Sequence, residues 1–145
     1  TVENKGHYFN FLDLLKSYEK NQTPYTPSIS HMYALDQQLD DILAEGLENR
    51  FARHKKMAGI VRDWAKQNFA LFAEPGYESN TLTAAANTKN ISVADLNQKL
   101  GERGYAISNG YGKIKEQTFR IAHMGDIQVE EIKELLDVID DVLKE

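Results

Sequence analysis

The run Thr118-Phe119-Arg120-Ile121-Ala122-His123-Met124-Gly125 constrains this chain more than any other. It predicts a short strand with an arginine in the middle of an apolar run. Withdrawing a charge from water costs several kcal/mol, on the order of the desolvation penalty for one ion, unless a partner repays it. An arginine among Phe119, Ile121 and Met124 therefore needs an anion. The planar guanidinium fork matches a carboxylate in two-pronged geometry. Two sources of that carboxylate are open. One is the chain's own set of 22 acidic residues, which the spacing alone favours because structural ion pairs are common. The other is a bound acid.

The rest of the chain supplies what such a strand would pack against. Phe9, Leu12, Leu15 and Tyr18 recur with helical spacing and predict a short helix over 9–19. Pro24 and Pro27 then interrupt any helix and favour extended residues before them. Met32, Leu35, Leu39, Ile42 and Leu43 restore the helical period. It bends or stops near Gly46 and resumes through Leu47, Phe51, Ala58, Val61 and Trp64. Two helices, or one long kinked helix over 32–69, fit this pattern equally well.

Beyond Phe69 the period changes. Leu71-Phe72-Ala73 and Thr81-Leu82-Thr83-Ala84-Ala85 predict strands, and Ser92-Val93-Ala94-Asp95 resembles a capping box opening a helix to about Arg103. Tyr105-Ala106-Ile107-Ser108 predicts another strand, and Asn109-Gly110-Tyr111-Gly112-Lys113 a turn that lines a cleft. Ile132, Leu135, Leu136, Ile139, Val142 and Leu143 mark an amphipathic last helix, headed by Asp126 or Gln128. The order of elements predicts an α/β (α+β) two-layer sandwich. It has a small, mostly antiparallel sheet covered by helices, with the 32–69 stretch in the cover and an amphipathic C-terminal helix.

Composition narrows the function classes. The 145 residues carry a net charge of −5, which speaks against a dedicated nucleic-acid binder. No apolar run approaches the roughly 18 residues that span a bilayer. The absence of cysteine removes disulfide and thiolate chemistry and is compatible with a cytoplasmic home. His7, His31, His54 and His123 are scattered without metal-ligand spacing, so surface or core-edge positions are expected for them. Asp40-Asp41 and Asp140-Asp141 read as solvated helix faces. The start, Thr1-Val2-Glu3-Asn4-Lys5, has neither an initiator methionine nor signal-peptide features, which suggests a piece of a longer protein.

Thr26-Pro27-Ser28 predicts a helix start, with Thr26 as the cap and Pro27 at the first helical position. Helix starts present unpaired N–H groups and can hold phosphate. Thr23, Tyr25, Thr26 and Ser28 add hydroxyls beside this one. An ordinary cap after a turn explains the same residues and is the better reading of the spacing alone. A hydroxyl-rich anion seat together with Arg120 nevertheless points to a ligand carrying phosphate and carboxylate, or to two ligands in one cleft.

Three segments resemble a known family: Gln22-Thr23-Pro24-Tyr25-Thr26-Pro27-Ser28 with Tyr33-Ala34-Leu35, then Glu45-Gly46-Leu47-Glu48-Asn49, and finally 119–125. Their order and spacing are similar to the C-terminal part of class V aminotransferases, fold-type I pyridoxal-phosphate enzymes, nearest the alanine–glyoxylate and serine–pyruvate branch. The resemblance implies that Arg120 grips the α-carboxylate of an amino-acid substrate. It implies that Thr26 reaches the cofactor phosphate of a neighbouring subunit in a homodimer. Some relatives have tyrosine at the place of Thr23, also on that phosphate; threonine keeps the hydroxyl with a shorter reach. The lysine that forms the Schiff base is expected upstream, since Lys5 lies too close to the first helix, and the aspartate on the pyridine nitrogen is expected there too. The resemblance thus implies a connecting segment over 1–27 and a small domain over 28–145, not active alone. Their parent would move an amino group from a small amino acid to a 2-oxo acid such as glyoxylate or pyruvate. A free-standing α/β regulatory module that binds a small carboxylate through Arg120 is the alternative, as is a relative that has lost catalysis or takes a phosphorylated amino acid.

Overall fold

The computed structural model describes residues 6–145; Thr1–Lys5, including the lysine weighed above, lie outside the described residues. The chain falls into two compact units, Thr1–Ala44 and Glu45–Glu145. In the first, α1 (Phe11–Tyr18) leads through the proline-containing loop to α2 (Ile29–Glu45). Neither helix has a buried residue. Helix α2 starts two residues later than the Thr26 cap predicts: Ser28 O accepts the N–H of Met32 at 3.1 Å. Pro27 therefore precedes the cap, and Thr26 stands in irregular chain before it.

Gly46 separates α2 from α3 (Leu47–Asn68), which decides for two helices over one. Its φ of +83° lies in the left-handed region, where a Cβ is strained. Only the α3 part of the 32–69 stretch joins the core, through Met57, Ala58, Val61, Trp64 and Ala65. The strands are β1 (Ala70–Leu71), β2 (Leu82–Ala86), β3 (Ser108–Asn109) and β4 (Thr118–Ala122). They form one sheet in the order β1-β2-β4-β3, every pairing antiparallel. The strand predicted over 105–108 is shorter and later; Ile107 instead fixes its backbone on Asn97, whose side-chain oxygen accepts its N–H at 2.9 Å.

Helices α4 (Val93–Glu102) and α5 (Val129–Val142) complete the helical layer. Ser92 caps α4, its hydroxyl accepting the Asp95 N–H at 3.1 Å, while the Asp95 carboxylate turns to Lys99 at 3.8 Å. At α5 the Glu131 carboxylate accepts the Gln128 N–H at 2.7 Å, so Gln128 heads the helix. Core residues Ile132, Leu136 and Ile139 of α5 meet Phe119 and Ile121 of β4 and Val61 and Trp64 of α3. Burying each such side chain contributes about 1.5–3 kcal/mol. Asp140, expected in solvent, accepts the Trp64 indole N–H at 2.8 Å.

Alternation along β4 resolves the puzzle of a charge in an apolar run. Successive side chains on a strand point to opposite faces. Phe119 and Ile121 face the helices and are buried, whereas Arg120 faces the other way and is half-buried. Its cross-strand partners are Ala84 on β2 and Ser108 on β3. The sheet is thus covered by α3, α4 and α5 on one face, and Leu82, Ala84, Ala86, Arg120 and Ala122 share the second.

Candidate functional site

Arg120 has no acidic partner among the described residues. Its Nη2 donates to the carbonyl of Asn109 at 3.2 Å, and its Cζ lies 4.3 Å from the centroid of the Tyr111 ring. Its Nε is buried without a hydrogen-bond partner. Buried donors are nearly always paired, so an orphan donor on a guanidinium marks a place for an acceptor. The internal ion pair that the spacing favoured is absent there.

The segment before β4 shapes this site. Asn109 donates through Nδ2 to the Glu116 carboxylate, and its Oδ1 accepts the Glu116 N–H at 2.9 Å. The Asn109 hydrogen bond and those from the backbone of α4 hold the Glu116 carboxyl below its usual range. Gly110 packs so closely on Ile114 and Thr118 that a Cβ would overlap the Ile114 carbonyl. The loop therefore closes tightly and delivers the Tyr111 ring to Arg120. Sequence reasoning identified the turn but not the role of Tyr111; the only signal was an aromatic between two glycines just before the arginine strand.

Thr23 and Thr26 belong to the first unit and Arg120 to the second. Both threonines line one shallow concavity of about 850 Å³ with Tyr18, Tyr25 and Pro27. The Thr23 hydroxyl is engaged, donating to the Tyr25 carbonyl at 2.7 Å. The Thr26 hydroxyl has no partner among the described residues. Ser28, the true cap, sets its Oγ 2.6 Å from His31 Nδ1. The predicted Thr26 cap is thereby corrected, while its hydroxyl stays free to meet another group.

Of the two places open to His123 at the end of its strand, packing or edge polarity, the structure gives packing. His123 is fully buried, with Nε2 2.9 Å from Thr83 Oγ1 and Nδ1 3.2 Å from the Asn80 carbonyl. Burial pushes it below the usual histidine value, so it sits neutral in the core. No cluster of three or more metal-ligating side chains occurs among the described residues. No helix there is long and apolar enough to cross a membrane.

A second polar cluster passed unseen in the sequence. Glu45 receives Arg53 through two bonds, at 2.6 and 2.9 Å, and Arg50 at 2.8 Å. Arg53 also donates to the carbonyls of Gly125, at 3.1 Å, and Ile127. The two guanidinium groups, Arg53 first, hold the Glu45 carboxyl down at about 2. This latch pins the start of α3 to the loop that leaves β4.

The second unit is thus a two-layer α/β fold that carries Arg120 on one sheet face without an acidic partner among the described residues. Comparison with known proteins says which family the chain belongs to. An aminotransferase of Methanocaldococcus jannaschii, itself uncharacterised, is 35% identical over 143 residues, 97% of this chain and 37% of that protein. Serine–glyoxylate aminotransferase of Arabidopsis thaliana is 33% identical over 145 residues, 95% of this chain and 35% of that protein. The structure of alanine–glyoxylate aminotransferase from Nostoc sp. has the same fold, with a TM-score of 0.82 and 23% identity over 97% of this chain and 40% of that one. No family model matches the chain. The chain belongs to the class V aminotransferases and spans a little over a third of the length of these curated relatives.

Proposed function

We propose that residues 28–145 are the C-terminal small domain of a pyridoxal-phosphate-dependent aminotransferase, joined through 1–27 to a large domain upstream. The parent is a cytoplasmic homodimer that moves an amino group from a small amino acid to a 2-oxo acid such as glyoxylate or pyruvate. The observation that carries this reading is Arg120: a guanidinium with an orphan Nε and no carboxylate partner among the described residues. Its free donors suit the α-carboxylate that amino acid and 2-oxo acid share. The glyoxylate-using relatives support that pair of substrates.

The first unit fits the cofactor's phosphate in part. Thr26 offers an unengaged hydroxyl in a concavity lined by no acidic side chain among the described residues. Thr23 offers a hydroxyl only by giving up its bond to Tyr25. When bound, pyridoxal phosphate supplies the electron sink for amino transfer. The lysine that would tether it lies upstream in this reading. Arg120 binds and orients the substrate acid; Thr26 anchors phosphate.

The test uses the full-length gene product. Its absorption spectrum should show bound pyridoxal phosphate. Arg120→Lys keeps the charge and loses the fork, and should raise KM for amino acid and 2-oxo acid about 10- to 100-fold, the range of a charged hydrogen bond. Cofactor affinity should not move. Unchanged KM and turnover for every substrate would remove Arg120 from the site.

A further inference from the structure

Tyr111 is 75% exposed, yet one face of its ring lies against the Arg120 guanidinium. The loop is built to hold it there. Gly110 donates to the Thr118 carbonyl at 2.9 Å, and the Tyr111 carbonyl accepts the Ile114 N–H at 3.1 Å. The Asn109–Glu116 pair closes the loop from the other side. Arg120 is consequently fixed at two points by consecutive parts of one turn: Nη2 on the Asn109 carbonyl and the guanidinium face on the Tyr111 ring. Only the Nε edge is left buried and unmatched. An arginine on an open sheet face otherwise carries about 2 kcal/mol of rotamer entropy. A side chain ordered before its ligand arrives does not lose that freedom on binding.

We propose that Tyr111 is a positioning residue for Arg120: its ring holds the guanidinium in one orientation, leaving its unpaired donors for the substrate carboxylate. The inference rests on the carboxylate-binding role proposed for Arg120. The ring face shields one side of the cation and attracts it through the aromatic quadrupole. The acid is left an approach along the guanidinium plane, the geometry of a two-pronged pair. The hydroxyl of Tyr111 has no part in this.

The test compares variants of the full-length holoenzyme. Tyr111→Leu keeps apolar cover and loses the ring; it should raise KM for both amino acid and 2-oxo acid about 2- to 30-fold, the span of a cation–π contact. Turnover should change far less, and cofactor affinity not at all. Tyr111→Phe, which restores the ring, should recover most of the loss. Added to Arg120→Lys, Tyr111→Leu should cost little more, because the ring then has no fork to orient. A Tyr111→Leu enzyme with the parent's KM overturns the proposal, as does a Phe variant as poor as Leu, or full additivity with Arg120→Lys. If Arg120→Lys itself leaves KM unmoved, the failure lies with the arginine's role rather than with the tyrosine.

Discussion

Thr83 Oγ1 lies 2.9 Å from Nε2 of His123, across the β2–β4 pairing and on the face of the sheet that meets the helices. The other ring nitrogen faces the Asn80 carbonyl at 3.2 Å. A carbonyl can only accept, so Nδ1 carries the proton and Nε2 takes the Thr83 hydroxyl. The neutral ring is matched on both sides, and a second proton would displace the threonine's.

A pH dependence of stability results. Burial lowers the folded-state pKa of His123, so the unfolded chain binds the proton more readily. The stabilisation is complete above the ordinary histidine value of about 6.5. It is lost as pH falls through that value toward the folded one. Thermal melting should therefore weaken on acidification across that window, and Thr83→Val should lower stability by about 1–3 kcal/mol through the unsatisfied ring nitrogen. A melting temperature indifferent to both changes would show that this pair is not buried in solution.

Glu45 titrates in a different window. Its folded pKa is about 2 against an ordinary 4.5, so its stabilisation is present above 4.5 and lost as pH falls toward 2. Glu45→Gln should flatten the acid limb of a stability–pH curve in that range. It should also loosen the Gly125–Ile127 loop, because Arg53 loses its main partner. Hydrogen exchange across 125–128 measures the second effect; exchange as slow as in the parent would contradict the latch.

At Gly110 a side chain has nowhere to go. Gly110→Ala drives a methyl into the Ile114 carbonyl, which is backbone and cannot rotate away. The expected cost is about 1–3 kcal/mol, typical of overpacking. The NMR ring signals of Tyr111 should shift as the ring leaves the guanidinium, while an unaltered melting curve would mean that the turn has room for the methyl.

Thr26→Val, in the full-length protein, removes the free hydroxyl with little change of shape. Retention of pyridoxal phosphate on dialysis should fall about tenfold, the worth of a phosphate hydrogen bond. Thr23→Val should matter less, because that hydroxyl already serves the Tyr25 carbonyl. Equal losses from the two variants would abolish this ranking, and a larger loss from Thr23→Val would reverse it.

The sequence disclosed the elements whose signal is local. Periodicity located α3 and α5, and Ser92 announced the start of α4. Arg120 stood out because a charge interrupted an apolar run. Signals that depend on the third dimension were lost. The 105–108 strand shrank because Ile107 spends its N–H on a side chain from α4. Thr26 and Ser28 carry the same cap chemistry two residues apart, and the helix starts from Ser28. Nothing local distinguishes Asp140, which meets an indole, from Asp141, which meets Lys144. The Tyr111–Arg120 contact required a loop closure that only the Gly110 packing and the Asn109–Glu116 pair create.

Antiparallel pairing sets Ala84 directly across from Arg120, with Ala86 and Ala122 on the same side of the ribbon. Methyl groups leave headroom over the cation that larger neighbours would fill. A protein engineer could thus trim the space in front of the charge one carbon at a time, at position 84, and, on the carboxylate-binding role proposed for Arg120, narrow the range of acids admitted without altering the arginine.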